Sequence, residues 1–426
     1  MQAGGGVQGT RASSWWRRRL VFLAVLLVSI PLALVQPVAA SASNTGTLFA
    51  ITGQNQNFLS EIDPASGDVT PIVDLAGPDQ AQVGTLTGDP ATGRLFGLRQ
   101  SCVWSPPGYY GYVCNRQLVS VDSQTGEFSV GPSVKAPITQ IAFDASANIL
   151  YGLWYNAVYT IDPATGLTRK LAGPDFGDSI VSMAVVPGGN AIYVNDEIFN
   201  DDGTFGDKVF TIDPQSGRVL SSPMLAQPVR IIAYDPALGQ LFGATECSSR
   251  DLVKIDPSTG NEDVVSSFGD TCDHQFQFAM TIDPTLHTAF MDLESLLDPF
   301  DGTQIRDQIV SVNEETGANA WSLPIDNDVV WSQYFMPVMN ATTDSIKGDV
   351  QQASTSGAIS NTGVAGSLMS ELSAAASAMA ASRCGTAANL YQAFISDVHS
   401  QTGISIAVRA AGQLELEARF LIAHCS

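Results

Sequence analysis

The heptapeptide "KIDPSTG" at residues 254–260 has close copies along the chain, and this repetition decides the fold. The copies are "EIDPASG" (61–67), "SVDSQTG" (120–126), "TIDPATG" (160–166), "TIDPQSG" (211–217) and "SVNEETG" (311–317). Asp accepts hydrogen bonds from the backbone ahead of it, and Pro presets the first turn angle. Gly adopts a left-handed backbone conformation without strain. The phrase therefore predicts a tight β-hairpin, and we interpret its Asp as a turn cap rather than a ligand.

A second phrase recurs between these hairpins. It reads "LTGDPATGRLFGL" (86–98), "IAFDASANILYGL" (141–153), "MAVVPGGNAIYVN" (183–195), "IIAYDPALGQLFGA" (231–244) and "MTIDPTLHTAFMD" (280–292). One aromatic side chain marks the same place in each copy and in "TLFAI", namely Phe49, Phe96, Tyr151, Tyr193, Phe242 and Phe290. Their spacings of 47, 55, 42, 49 and 48 residues are typical of β-propeller blades with four strands each.

The two ends of the repeat region indicate how the ring closes. The first blade begins at its second strand, near residues 47–51, and a spare β-run, "DVVWSQYFMPV", follows the last repeat at 328–338. Supplying the missing strand from this run removes exposed sheet edges. We therefore expect an all-β, six-bladed β-propeller over residues 45–338, closed by a C-terminal strand and followed by a small three-helix domain.

The N-terminus has the order of a secretory signal peptide. Three arginines (17–19) precede an apolar run from Leu20 to Val35, and small residues follow. We expect cleavage after Ala40 or Ala42, which makes residues 1–42 a signal peptide and the mature chain secreted or periplasmic without a membrane span. An uncleaved membrane anchor is the alternative, although the apolar run is shorter than about 20 residues.

The charge balance and the cysteines limit the function classes. Without residues 1–42, 16 basic side chains face 42 acidic ones, a net charge of −26 that argues against a nucleic-acid partner. Six cysteines suit an oxidising compartment, and although fifteen pairings are open, their order groups Cys102 with Cys114, Cys247 with Cys272 and Cys384 with Cys425. No C-x-x-C occurs and only four histidines are present, so a zinc site is weakly supported.

The C-terminal part changes in composition. Residues 339–363 are small and polar and predict a linker, whereas 364–426 are rich in Ala and Leu and predict three helices over 366–382, 386–403 and 406–425. Leu390, Phe394 and Val398 form an apolar stripe on the second helix. Pairing of Cys384 with Cys425 would stabilise so small a bundle.

Two family resemblances accompany these patterns. The "GxLFG…IDPxTG" repeats resemble secreted bacterial propellers of the YVTN, NHL-like and lyase-like groups, which implies the fold but no single activity. The phrase "AANLYQAFISDVHSQTG" (387–403) is similar to FIMAH-like helical modules of secreted bacterial proteins, matching at Leu390, Phe394, Ile395, Val398 and Gly403. This second resemblance implies a role in attachment or assembly.

The candidate binding residues lie in the connections between strands, where the repeats vary. Aromatic side chains suited to stacking on a sugar or a protein partner are Trp104, Tyr109, Tyr110 and Tyr112, inside the expected Cys102–Cys114 loop, and Trp154 and Tyr155 in the third blade. The alternative is that these aromatics pack on their own loops. Arg230 is the one full charge expected near the channel.

Acidic residues accumulate in the same connections. Asp196, Asp201, Asp202 and Asp207 in "NDEIFNDDGTFGD" (195–207) offer oxygen ligands for calcium, but they lack the EF-hand order, so a solvated acidic loop is the main interpretation. No required cofactor, metal ring or catalytic motif is expected. We therefore expect an exported binding or scaffold protein for an extracellular glycan, cell-surface or protein ligand. The alternatives are a hydrolase or lyase acting at the channel mouth near Arg230, and an adhesin-like architectural domain.

Overall fold

A computed structural model describes most of the chain. The described residues are 46–53, 57–77, 79–104, 112–154, 157–171, 179–189, 191–199, 205–245, 250–268, 274–295, 306–325 and 330–425. All structural statements below concern these residues.

Twenty-four strands form six four-stranded antiparallel sheets, the blades. Blade 1 contains β1 (Gly46–Thr52), β2 (Phe58–Ile62), β3 (Val69–Asp74) and β24 (Val330–Pro337). Blade 2 contains β4 (Gln82–Asp89), β5 (Arg94–Trp104), β6 (Tyr112–Asp122) and β7 (Phe128–Ser133), and blade 3 contains β8 (Gln140–Asp144), β9 (Ile149–Trp154), β10 (Ala157–Ile161) and β11 (Thr168–Lys170). Blade 4 contains β12 (Ser179–Val186), β13 (Ala191–Phe199), β14 (Phe205–Ile212) and β15 (Val219–Ser221). Blade 5 contains β16 (Val229–Asp235), β17 (Gln240–Thr245), β18 (Asp251–Ile255) and β19 (Glu262–Ser267), and blade 6 contains β20 (His274–Asp283), β21 (Thr288–Ser295), β22 (Arg306–Asn313) and β23 (Asn319–Trp321).

The C-terminal strand closes the ring as predicted. Strand β24 pairs antiparallel with β1, for example Phe335 with Leu48, and so provides the innermost strand of blade 1. The innermost strands contact one another in the order β24, β4, β8, β12, β16, β20 and then β24 again. The six-bladed propeller predicted from the repeats is confirmed.

Apolar side chains hold adjacent blades together. One buried cluster lies at each of the six blade interfaces. The recurring aromatic residues belong to these clusters, and Tyr151 and Phe242 are each only 1 % exposed. The second recurring phrase therefore encodes the contact between blades.

The "IDPxTG" phrase forms the hairpin between the third and fourth strands of each blade, and its Asp caps the turn as predicted. In "KIDPSTG", Asp256 Oδ1 accepts a hydrogen bond from the Ser258 amide at 2.9 Å. Hydrogen bonds from Ser258 and Thr259 lower the pKa of Asp256 to about 2. Gly260 has φ of +78°, and a Cβ there would clash with the Met224 carbonyl of the preceding blade. The motif therefore forms a corner and a close contact between blades.

Four helices follow the propeller: α1 (Thr343–Ser356), α2 (Thr362–Ala380), α3 (Cys384–Gln401) and α4 (Val408–Ala423). The last three match the predicted helices, but α1 lies where the sequence predicted a linker over 339–363. The reason is that Ile346 and Val350, one turn apart, are fully buried in the bundle core. Thr342 and Ser345 form a capping box that begins this helix.

The connections divide the propeller into two faces. The third-to-fourth strand turns of all six blades and the first-to-second strand turns of blades 2 to 6 lie on one side, which we call the turn face. The second-to-third connections and the links between blades lie on the other side, which we call the loop face. Among the candidate aromatic residues, Trp104, Tyr112 and Trp154 lie at the loop-face ends of β5, β6 and β9.

Candidate functional site

The central channel encloses a cavity of about 270 Å³. Side chains of the six innermost strands line it, including Thr85, Gln140, Met183, Ile231, Ala279 and Gln333. No charged side chain among the described residues lines this cavity. The channel therefore offers apolar surface and neutral hydrogen-bonding groups, and it presents no acid–base pair.

Many of the channel's polar groups hold neighbouring blades together. Hydroxyl groups on the innermost strands accept backbone N–H bonds from the next innermost strand. The Leu86 amide donates to Ser332 Oγ at 2.9 Å, that of Ile232 to Ser182 Oγ at 3.0 Å, and that of Phe335 to Thr281 Oγ1 at 2.9 Å. The Gln333 side-chain amide donates to the carbonyls of Ala279 and Phe290 at 3.0 and 2.8 Å. These hydrogen bonds close the ring, whereas the side-chain carbonyl oxygens of Gln140 and Gln333 in the channel lining have no partner among the described residues.

Arg230 occupies the second position of β16, at the end of the strand that faces the loop side. It is half-buried and does not line the channel cavity. The hydrolase or lyase hypothesis near Arg230 therefore stays a prediction.

The helical domain occupies the turn face. Helices α1 and α4 and the turns of blades 4, 5 and 6 border a cavity of about 670 Å³, lined among others by Pro187, Pro236, Pro284 and Gln352. Leu416 of α4 also lines the central channel. The backbone of α4 approaches blade 4 closely, since a Cβ on Gly412 would lie 3.5 Å from Pro187 Cβ. The helical domain thus covers the turn-face end of the channel.

A buried ion pair joins α4 to blades 2 and 3. Arg419 Nη2 donates to Asp89 Oδ2 at 2.9 Å and to Asn148 Oδ1 at 3.2 Å. Its guanidinium carbon lies 5.7 Å from the centre of the Phe143 ring. The Arg419 and Asp89 side chains are only 14 % and 4 % exposed. Burial lowers the pKa of Arg419, and the nearby carboxylates of Asp89 and Asp144 oppose this effect.

Glu415, one turn before Arg419, is a second buried ionisable group at this interface. Burial and the negative Asp144 raise its pKa to about 8, while Arg419 acts in the opposite direction. Its Oε1 atom lies 3.5 Å from His399 Nδ1. The interface therefore contains a carboxyl group that changes charge near neutral pH.

The loop face is uneven because the second and third strands differ in length between blades. They have 11 and 11 residues in blade 2, 9 and 8 in blade 4, and 8 and 8 in blade 6. In blades 1, 3 and 5 they have 7 and 5, 6 and 5, and 6 and 5 residues. At roughly 3.3 Å per residue, the second strand of blade 2 extends about 17 Å beyond that of blade 3. Alternate blades therefore surround the channel with longer hairpins.

The blade 2 hairpin carries most of the candidate aromatic residues. A disulfide joins Cys102 to Cys114, which lie directly opposite each other in the ladder. Two positions further along β5, Trp104 lies opposite Tyr112. Val103, between Cys102 and Trp104 in the same strand, is 64 % exposed. The side chains of Trp104 and Tyr112, together with Tyr109 and Tyr110, lie outside the described residues.

The remaining candidates have mixed outcomes. Trp154 is half-buried and packs against the cluster between blades 2 and 3, so it belongs in part to the fold. Tyr155 lies outside the described residues, as do Cys247 and Cys272. A second disulfide joins Cys384 to Cys425 in the helical domain.

The acidic residues of blade 4 are partly explained by structure. Asp207 is 4 % exposed, and its Oδ2 accepts the Val229 amide of blade 5 at 2.7 Å. In blade 6, Asp307 Oδ2 likewise accepts a hydrogen bond from the Val330 amide of blade 1 at 2.6 Å. Asp196 is fully buried in β13, while Asp201 and Asp202 lie outside the described residues. Asp207 thus joins two blades, and calcium binding by this segment stays a prediction.

Sequence reasoning missed three features of the turn face. These are the docking of α4 through Arg419, the buried Glu415, and a group of three side chains, Asp235, His287 and Glu314, whose donor atoms lie within 4.8 Å of one another. The group of three side chains was detectable in the sequence. His287 replaces the Gly of the second recurring phrase, and Glu314 replaces the Pro of "IDPxTG".

Comparison with known proteins yields fold-level likeness only. No protein family and no curated protein matches the chain, so the resemblances to YVTN, NHL-like and FIMAH-like sequences stay predictions. Among solved structures, TolB from Acinetobacter baumannii is similar at 13 % identity and a TM-score of 0.46, covering 68 % of this chain and 66 % of TolB, just under two thirds. Kuenenia stuttgartiensis hydrazine synthase is similar at 14 % identity and a TM-score of 0.40, covering 65 % of this chain and 92 % of that one. Among the described residues, no helix is both long and apolar enough to cross a membrane.

Proposed function

We propose that this protein is an exported binding or scaffold protein that recognises an extracellular glycan or protein ligand through its loop face. The observation that supports the proposal most is the occupation of the turn face. Helices α1 and α4 border the turns of blades 4 to 6, and Leu416 reaches the channel. A large external ligand therefore has access to the loop face, where the blades differ from one another.

The chemistry of the loop face favours a recognition role. The blade 2 hairpin is long, and a disulfide joins its two strands near their loop-face ends. Preorganised aromatic residues lose little conformational entropy on contact, and they stack on sugar rings or enter protein pockets. Trp104 and Tyr112 at adjacent positions of this hairpin, with Tyr109 and Tyr110 beyond them, provide such residues.

Screening the chain from residue 43 onwards on glycan and cell-wall arrays tests this proposal. We expect saturable binding that falls at least about 10-fold in Trp104→Ala and Tyr110→Ala, because loss of a central aromatic contact costs about 2 kcal/mol, and about 1.4 kcal/mol already corresponds to 10-fold. Trp321→Ala is the matched control, since Trp321 is 38 % exposed but lies on the outermost strand of blade 6. Absence of binding, or equal binding by all three variants, would contradict the proposal.

A further inference from the structure

Blade 6 has Asn313 in place of the turn-capping Asp, and it departs from the repeat at two further positions. In the third-to-fourth strand turn, the position after Asp is Pro in blades 1, 3, 4 and 5 and Ser in blade 2, whereas blade 6 has Glu314. In the first-to-second strand turn, the left-handed position is Gly93 in blade 2, Asn148 in blade 3 and Gly239 in blade 5, whereas blade 6 has His287 with φ of +50°. An imidazole here replaces the residue that fits this backbone best.

Both departures converge on one point of the turn face. His287 Nδ1 lies 3.0 Å from Asp235 Oδ2 of blade 5, and a carboxylate oxygen of Glu314 completes a group within 4.8 Å. Asp235 is held in place by its other oxygen, which accepts the amides of Ala237 at 2.5 Å and Leu238 at 3.1 Å. The Oδ2 atom therefore faces the imidazole in a fixed orientation.

Glu314 lacks the partners that a buried carboxylate needs. It is 5 % exposed, and apart from the Asp235 carboxyl group neither of its oxygen atoms has a hydrogen-bond partner among the described residues. Asp235 is fully buried, so two carboxyl groups share a space that excludes most water. Such a pair requires either a shared proton or a cation.

The corresponding contact between blades 3 and 4 is satisfied differently. There, Asp144 accepts the backbone amides of Gly188 at 3.1 Å and Gly189 at 2.7 Å from the next blade. Between blades 5 and 6, Asp235 instead meets an imidazole and a second carboxyl group. Ordinary backbone donors are thus replaced by two groups that both ligate metals.

We propose that Asp235, His287 and Glu314 bind a divalent first-row transition metal, such as Zn²⁺ or Mn²⁺, which links blades 5 and 6. Imidazole favours zinc and related ions and carboxylates favour manganese, whereas calcium takes oxygen ligands. Two ligands that bind one ion at about 2 Å are roughly 3 to 3.5 Å apart, which agrees with the 3.0 Å between His287 and Asp235. The His287 side chain is 26 % exposed, which gives an ion and its remaining water ligands access from solvent.

Metal titration of the EDTA-treated chain from residue 43 onwards tests the proposal, with ZnCl₂ and MnCl₂ in separate calorimetric and thermal-unfolding experiments. We expect one equivalent of one of these ions to bind and the melting temperature to rise by several degrees, since a ligand that binds only the folded state stabilises it. Glu314→Gln and His287→Gly should each lower the metal affinity at least about 10-fold. Removing a residue that only supports a metal ligand already costs about 10-fold, so removing a ligand should cost at least as much.

The controls separate metal binding from misfolding. His287→Gly suits the left-handed backbone but removes the contact with Asp235, so its folding without metal is checked by circular dichroism. Glu315→Gln changes the exposed neighbour of Glu314 and should bind metal normally. The proposal is overturned if neither ion binds at the parent site, which would indicate a proton shared between Glu314 and Asp235, or if Glu314→Gln and His287→Gly bind as tightly as the parent.

Discussion

The two faces of the propeller are made from the same repeats but differ in what they contact. On the turn face, the first-to-second strand turns pack against α4, with Arg419, Asp89 and Glu415 buried at the interface. On the loop face, the longer hairpins of blades 2, 4 and 6 extend away from the ring.

This difference shows that a face made of nearly identical turns can still form a specific contact. Stereotyped turns provide a regular platform, and one helix with complementary charges occupies it. Variation in hairpin length leaves a surface whose shape is specific to this chain. The four predictions below change one face and leave the other intact.

The disulfide of the helical domain should have the largest effect. Cys384 and Cys425 are 41 residues apart, and a cross-link of that length stabilises a folded state by about 4 kcal/mol through the lost entropy of the unfolded chain. In Cys384→Ser/Cys425→Ser we expect the bundle to unfold at lower denaturant than the ring, detected by circular dichroism. Cys102→Ser/Cys114→Ser is the control on the loop face and should leave bundle unfolding unchanged. Equal effects of the two double variants would contradict the division of the molecule into two faces.

Removing Arg419 should loosen the bundle from the ring. Arg419→Ala leaves Asp89 buried without its cationic partner, and breaking a buried pair in this way costs about 3 kcal/mol. Urea unfolding and hydrogen exchange of α4 measure this loss. Arg383→Ala, at an exposed arginine of the same domain, should change stability by less than about 0.5 kcal/mol. An Arg419→Ala variant as stable as the parent would show that the ion pair does not hold the helix.

Two substitutions of Gly412 should change the stability of the protein in opposite directions. A Cβ there makes ordinary contact with Pro187, and Gly is about 1 kcal/mol worse than Ala inside a helix, so Gly412→Ala should be neutral or stabilising. The larger side chain in Gly412→Leu overlaps Pro187 and should cost about 1 to 3 kcal/mol. Both are measured by chemical unfolding. If Leu were tolerated as well as Ala, α4 would not lie against blade 4.

The stability of the turn face should depend on pH through Glu415. Its pKa is about 8 in the folded chain against an ordinary 4.5, so the folded state keeps a proton that the unfolded state releases. The stabilisation is complete below about pH 4.5 and is lost as pH rises towards 8, by up to about 1.4 kcal/mol per pH unit. Glu415→Gln should remove this fall when unfolding is compared at pH 5 and pH 8. Parallel pH profiles of the variant and the parent would exclude Glu415 as the cause.

Much of the ring was predictable because its determinants are local and repeated. Turn caps such as Asp256 act within three residues, and aromatic residues such as Tyr151 recur at one place in every blade. The docking of α4 was not predictable, because Arg419 and Asp89 are 330 residues apart and each resembles a surface charge in sequence. Helix α1 was missed because it contributes only Ile346 and Val350 to the core.

The group of Asp235, His287 and Glu314 was only partly predictable from the sequence. Glu314 and His287 were visible as departures from a repeat, but their convergence on Asp235 depends on the blade-to-blade geometry. A repeat thus helps twice, since its agreement identifies the fold and its exceptions indicate positions with an additional role.

The central claim is that the helical domain occupies the turn face and leaves the loop face for recognition. An engineered cross-link, Gly412→Cys with Pro187→Cys, tests it most directly, because a Cβ on Gly412 would lie 3.5 Å from Pro187 Cβ, within disulfide range. Gly366→Cys with Pro187→Cys is the control, since a Cβ on Gly366 would have no neighbour within 4 Å. We expect mass spectrometry of the unreduced folded protein to show the α4–blade 4 disulfide in the first pair and none in the second. A folded protein in which the first pair stays reduced would contradict the claim.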